Sequence, residues 1–228
     1  IAISGIATAI ITRFDPDPPV ADAIQEQFED AAKAAGVSYS CKTICRETSS
    51  LLQSATELSQ LYSLNLVAQP DRSRPSNDDT LTESLLLGSG RPLLVVPYID
   101  RRSFSARRIV ICWDGRSAAA RAVHDAMPFL HKAAGIDILV VDRDRTIAMN
   151  TPEALKDHLA RSGLNADVHY LFSHTSNIYD MILSFGADVG ADMLVMGGYG
   201  HSRLRERVLG GVTRGILETM TVPVLISH

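Results

Sequence analysis

Asp114 and a run of glycines far downstream of it are the residues of this 228-residue chain whose types and spacing suit chemistry on a ligand. Gly197, Gly200 and Gly210 are separated by two and by nine residues, and Gly211 doubles the last of them. Glycine lets backbone approach a ligand with no side chain between. The apolar run Met193–Met196 ahead of the glycines reads as a buried strand, and Val212–Thr219 behind them reads as a helix. Phosphates bind where a strand empties through glycines into a helix start, because unpaired amides and the positive end of the helix dipole point at an anion there. Gly210, Gly211, Val212 and Thr213 offer amides and one hydroxyl for that purpose. Asp114 can accept hydrogen bonds from an amino or hydroxyl group, or its pairing with Gly115 can simply make a turn. Ser117 either meets a ligand or caps the helix that follows. Close packing is the alternative reading of Gly197 and Gly200.

Other chemistries have less to stand on. All seven histidines fall in the second half, none at a metal-ligand spacing, and His201 inside the glycine loop is the one candidate ligand contact among them. Cys41, Cys45 and Cys112 are an odd number with no C-x2-C pair, so neither a disulfide framework nor zinc is expected. There is no G-x-S-x-G elbow, no GxxxxGK[ST] loop and no G-x-G-x-x-G after the strand that ends at Trp113. No catalytic base is identified, so no catalytic residue is assigned.

The elements that must position these residues alternate. Strand patterns at 1–12, 37–44, 64–68, 92–98, 108–113, 136–141, 168–172, 193–196 and 222–227 are interleaved with helical stripes at 20–35, 49–62, 80–87, 118–133, 153–162, 177–189 and 212–219. Such alternation means an α/β fold whose parallel sheet is covered on both faces. With 46% apolar, 21% charged and 6% aromatic residues, the composition is that of a globular chain with a real core. The net charge of −4 argues against nucleic acid as the main partner. All of the acidic excess lies in residues 1–106, with 13 acidic against 9 basic residues, while residues 107–228 balance at 13 each. No apolar run is long enough to span a bilayer and no signal-peptide pattern is visible, so a cytoplasmic location without membrane contact is expected.

The halves repeat. LVA at Leu66–Ala68, a loop, a helix and RPLLVVP match LVM at Leu194–Met196, a loop, a helix and VPVLIS, at an offset of 128 to 131 residues. Two tandem domains follow, 1–99 and 107–228, joined by the aperiodic stretch 99–106. The first copy is N-terminally incomplete, since Ile1 falls near its second strand. At this alignment Gln69 stands opposite Gly197 and Arg72 opposite Gly200. The first copy then serves as an internal control: the fold tolerates loss of the glycines, and packing alone does not require them.

The G-x2-G-x9-G spacing at Gly197, Gly200 and Gly210 resembles the nucleotide-binding signature of the universal stress protein family, in which Ser or Thr follows. Here Gly211 stands at that position and a hydroxyl first appears at Thr213. The resemblance covers the second half by motif and the first half by layout only. It implies doubly wound parallel five-stranded sheets of strand order 3-2-1-4-5, in which the carboxyl ends of the first and fourth strands meet at one crevice. It also implies an adenine nucleotide, ATP or else ADP or AMP, with Mg2+ accompanying it. Asp114 would lie in the adenosine pocket, Val141 would approach the base through its backbone, Gly210, Gly211, Val212 and Thr213 would meet the phosphates, and Gly115, Ser117, Met196, Gly197, Gly200 and His201 are the remaining candidate contacts. The implied role is regulation in the stress response, with at most slow ATP hydrolysis. Family members dimerise through the last strand, so a homodimer or an intrachain pseudo-dimer is expected. The rival reading is a nucleotide-free interaction and dimerisation scaffold of the same fold.

Overall fold

The structure, a computed structural model, describes residues 6–13, 18–45, 48–69, 78–99, 104–142, 150–172, 177–198 and 211–228. They fall into two compact units, Ile1–Leu61 and Tyr62–His228. The first holds β1 (Ile6–Arg13), α1 (Pro18–Ala34), β2 (Ser38–Cys45) and α2 (Thr48–Ser59). β1 and β2 pair in parallel, from Ile6 opposite Ser38 to Arg13 opposite Cys45, with α1 as the crossover that parallel neighbours require.

The second unit holds β3 (Asn65–Ala68), α3 (Asp78–Gly88), β4 (Leu93–Val96), β5 (Arg108–Cys112), α4 (Ser117–Leu130) and β6 (Gly135–Val141). It continues with α5 (Asn150–Arg161), β7 (Asp167–Leu171), α6 (Ile178–Val189), β8 (Met193–Gly197), α7 (Gly211–Thr219) and β9 (Val224–Ser227). Its seven strands form one sheet in the order β3-β4-β9-β8-β5-β6-β7. The last five strands thus follow the 3-2-1-4-5 order. The sheet does not stop at β9, however, because β4 pairs with it antiparallel through Leu93–Ile226, Leu94–Leu225 and Val95–Val224. One mixed, mostly parallel seven-stranded sheet therefore stands where two separate five-stranded sheets were expected. Both strands are apolar, and joining them covers two edges that would otherwise present unpaired amides and carbonyls. The same pairing draws β3, α3 and β4 into the second compact unit, which starts at Tyr62.

Strand alternation sorts the core into two faces. Ile109, Ile111, Ile138, Met193, Val195 and Leu225 pack with Ala122, Ala126 and Leu130 of α4 and with Leu155 and Leu159 of α5. Val110, Leu139, Leu194, Met196, Val224 and Ile226 pack with Leu85 and Leu86 of α3, Ile182 of α6 and Ile216 and Leu217 of α7. α6 ends at Gly190, whose φ of +68° closes the helix in the left-handed cap. The Ala191 amide reaches back 2.8 Å to the Gly186 carbonyl, and β8 starts two residues later.

One charged residue sits inside this sheet. The Asp137 carboxylate on β6, 2% exposed, takes Arg108 Nε at 2.9 Å and lies 2.9 Å from His169 Nε2. A second guanidinium contact, Arg108 to Asp137 Oδ1 at 3.2 Å, makes the pair two-pronged and ties the starts of β5, β6 and β7 together. The bond to Asp137 raises the Arg108 pKa further above its ordinary value. This cluster lies at the end of the sheet opposite Asp114 and Gly197.

Candidate functional site

β5 and β8 are neighbours where the strand order reverses, and their carboxyl ends carry Trp113–Asp114 and Gly197–Gly198. Asp114 Oδ1 accepts the Arg116 amide at 3.0 Å across Gly115, whose φ is +74°. The turn reading of Asp114 is therefore realised, and it leaves the second carboxylate oxygen outside that turn. α4 begins at Ser117, with Arg116 as N-cap and no side-chain capping bond. Ser117 is one residue too far along to cap, so the first-turn amides of α4 have no side-chain cap.

Gly197 lies directly on that first turn. A Cβ placed there would stand 2.5 Å from the Ala119 amide nitrogen and 2.8 Å from the Ala118 carbonyl carbon. Packing alone thus requires glycine at 197, which corrects the expectation drawn from the first copy. The control fails because the described part of the first copy holds no helix equivalent to α4. Register corrects it too. The Asn65 amide donates to Pro92 and the Gln69 amide to Val96, while Leu194 donates to Pro223 and Gly198 to Ser227. Gln69 therefore stands opposite Gly198, and Ala68 opposite Gly197, one residue from the sequence alignment. At Gly198 a Cβ would meet only side-chain tips, Ile226 at 3.0 Å and Leu86 at 3.1 Å.

The remaining candidates separate. Val141 is partly buried, and since the Asp142 amide bonds to Leu171 of β7, alternation turns the N–H and C=O of Val141 to the β5 side, past Cys112 where β5 has ended. A backbone contact there is open to a ligand. Met196 is 4% exposed and packs in the second core face, so its side chain serves the fold. Gly211 opens α7, and a Cβ added to it would meet nothing within 4 Å among the described residues, whereas Thr213 is 3% exposed and its side chain is already enclosed. Gly200, His201 and Gly210 lie outside the described residues.

Sequence reasoning missed several neighbours. Trp113 packs at the edge of the first core face and its Nε1 lies 3.4 Å from Thr151 Oγ1. Arg121 on α4 donates to the His228 carbonyl at 2.6 Å, and His228 Nδ1 lies 3.3 Å from the Gly198 carbonyl. These contacts fasten the end of β8 to the end of β9. No spacing rule could have found them, because they join three separate elements. Cys112 is not a nucleophile: burial first, and the Asp114 charge second, push its thiol up to about 12, so it stays protonated at neutral pH.

Among the described residues no group of three or more His, Cys, Asp or Glu could hold a metal ion, and no helix is long and apolar enough to cross a membrane. A concavity of about 380 Å³ runs along α1, lined by Asp22, Gln25, Glu26, Glu29, Asp30 and Lys33. Four carboxylates against one amine repel a polyphosphate, so this groove is no rival to the crevice at β5 and β8.

The universal stress protein Slr1230 of Synechocystis is 25% identical over 149 residues, which cover 63% of this chain and 49% of that protein. The chain thus matches about half the length of this relative. A universal stress protein of Archaeoglobus fulgidus, of known structure, superposes with a TM-score of 0.69 at 17% identity, covering 98% of this chain and 88% of that one. A protein of unknown function from Pseudomonas aeruginosa superposes with a TM-score of 0.66, also at 17% identity, covering 96% and 81%. At these identities the superpositions speak for the fold alone. The model of the universal stress protein family matches residues 105–228, more than half of the sequence and the whole of β5–β9, and the chain belongs to that family.

Proposed function

We propose that the crevice at the carboxyl ends of β5 and β8 binds an adenine nucleotide, ATP or else ADP or AMP with Mg2+, and that occupancy regulates a cytoplasmic stress response. The observation that carries this reading is the seating of Gly197 on the uncapped first turn of α4. It brings a bare backbone edge, a helix N-terminus and Asp114 to one place, and these suit a phosphate and a ribose or adenine group. The exposed start of α7 at Gly211 supplies a second set of helix-start amides. No placed base accompanies them among the described residues, so at most slow hydrolysis is expected.

Gly211 offers the test. Among the described residues nothing crowds the position, and its φ is not in the left-handed region, so Gly211→Ser restores the hydroxyl of the family pattern. Its expected effect is tighter ATP binding by about 1 kcal/mol, roughly fivefold, in calorimetric titration. Unchanged or weaker affinity would mean that the α7 start is not a phosphate contact. Mass spectrometry of ligand released from the purified protein tests the nucleotide itself, and a protein that carries none and takes up none favours the scaffold reading.

The chain is further proposed to be a tandem repeat closed on itself. Register gives offsets of 129 for β3 and β8 and of 131 for β4 and β9. Leu94 then pairs with its own equivalent, Leu225, as a two-fold axis demands. The helix contacts obey the same axis: Gly198 faces Leu86 of α3, and Gln69 Nε2 donates 2.9 Å to the carbonyl of Leu217, the equivalent residue in α7. The β9 edge is consumed within the chain, so sedimentation should give a monomer. A dimer that Leu225→Lys dissociates would refute this.

A further inference from the structure

We infer that Gln69, at the end of β3, is a positioning residue for the nucleotide site: it holds the carboxyl end of α7 and so aims the first turn of that helix at the phosphates. This rests on the nucleotide reading above. Gln69 is 4% exposed, and both ends of its side-chain amide are engaged. Nε2 donates 2.9 Å to the Leu217 carbonyl, and Oε1 takes the Tyr98 amide at 3.4 Å. The Gln69 backbone amide is bonded to Val96, so the side chain springs from a fixed strand end. A carbonyl only accepts and a backbone amide only donates. The side chain between them must do both, which glutamine does and methionine or a carboxylate cannot.

α7 depends on that bond. It has nine residues, too few to hold a helix unaided, and its last four carbonyls have no partner within it. The Ile216 carbonyl takes the Met220 amide at 2.8 Å, and the Leu217 carbonyl takes Gln69. Leu217 is 5% exposed, which leaves water little access as a substitute. At its middle α7 is pinned from the other side: Gly215 lies so near the Tyr179 ring of α6 that a Cβ would stand 2.8 Å from Cε1. Without Gln69 the helix can pivot on that contact. Gly211 lies four residues from Gly215, about 6 Å along the axis, so a tilt of about ten degrees moves the first-turn amides by about 1 Å. That takes a phosphate hydrogen bond out of range.

The test titrates ATP and adenosine into the full chain and two variants, each compared with wild type at the same pH. Gln69→Glu keeps the shape, but at about pH 9 its carboxylate faces a carbonyl at the negative end of the helix dipole. ATP should then bind at least about tenfold more weakly, and adenosine, which has no phosphate, equally well. At about pH 5.5 the buried carboxyl is protonated, its O–H donates to Leu217 and its C=O takes the Tyr98 amide, so ATP affinity should return to within about threefold of wild type. Gln69→Met fills the same space and never donates, so it should lose about threefold at both pH values. ATP affinity unchanged in Gln69→Met, adenosine weakened as much as ATP, or a Gln69→Glu loss that persists at the lower pH overturns the inference alone. A wild type that binds neither ATP nor adenosine overturns the nucleotide reading, and this inference with it.

Discussion

Gly197→Ala is expected to destabilise the protein by about 3 kcal/mol, whether or not nucleotide is present. The added carbon would lie 2.5 Å from the Ala119 nitrogen, and that atom belongs to helix backbone, which cannot rotate away as a side chain does. Either α4 lifts off β8, exposing Ala122 and Val195, or β8 bends. Gly198→Ala is the matched control, because its neighbours are the tips of Leu86 and Ile226, and it should cost about 1 kcal/mol. Urea unfolding of the two variants checks this. Wild-type stability in Gly197→Ala together with lost ATP binding would mean that the glycine serves only the ligand.

The second large effect is expected at Asp137, the charge buried among β5, β6 and β7. Asp137→Ala should cost about 2 kcal/mol, because the carboxylate's bonds to Arg108 and His169 are lost while both partners remain partly open to water, at 45% and 35% exposure. The order of single changes is the sharper expectation. Removing Arg108 leaves a buried carboxylate with one partner fewer, so Arg108→Met should lower the urea midpoint more than Asp137→Leu does. Adding Asp137→Leu to Arg108→Met should recover part of the loss. A double variant no more stable than Arg108→Met alone would show that the buried charge is not the source of the cost.

The alternation of β5–β9 with their helices was legible because each strand is a short apolar run and each crossover a clean helical stripe, while their order came only with the resemblance carried by the glycine spacing. The way β4 continues the sheet was not, since edge-to-edge pairing of LLVV with VLIS leaves no periodicity of its own in either strand. Asp137 was invisible for a related reason: one carboxylate within GIDILVV looks like an interruption until Arg108 and His169 are seen beside it. The glycine motif was readable as spacing, but its meaning at Gly197 was not. Only the position of Ala118 and Ala119 shows that the fold itself demands a glycine there. The alignment of the two halves by LVA and LVM also slipped by one residue, because matching letters do not record which amides face which neighbour.

Trp113 is the single tryptophan of the chain and adjoins Asp114 in the crevice, so its emission reports on the site without a label. Titration of the full chain with ATP and Mg2+, read by Trp113 fluorescence and calibrated by equilibrium dialysis, tests the central proposal. The expected result is a saturable change in emission at one nucleotide per chain, weakened by Asp114→Ala. No bound nucleotide at millimolar ATP would contradict the account, and so would two nucleotides per chain, since among the described residues only β5–β9 form the crevice.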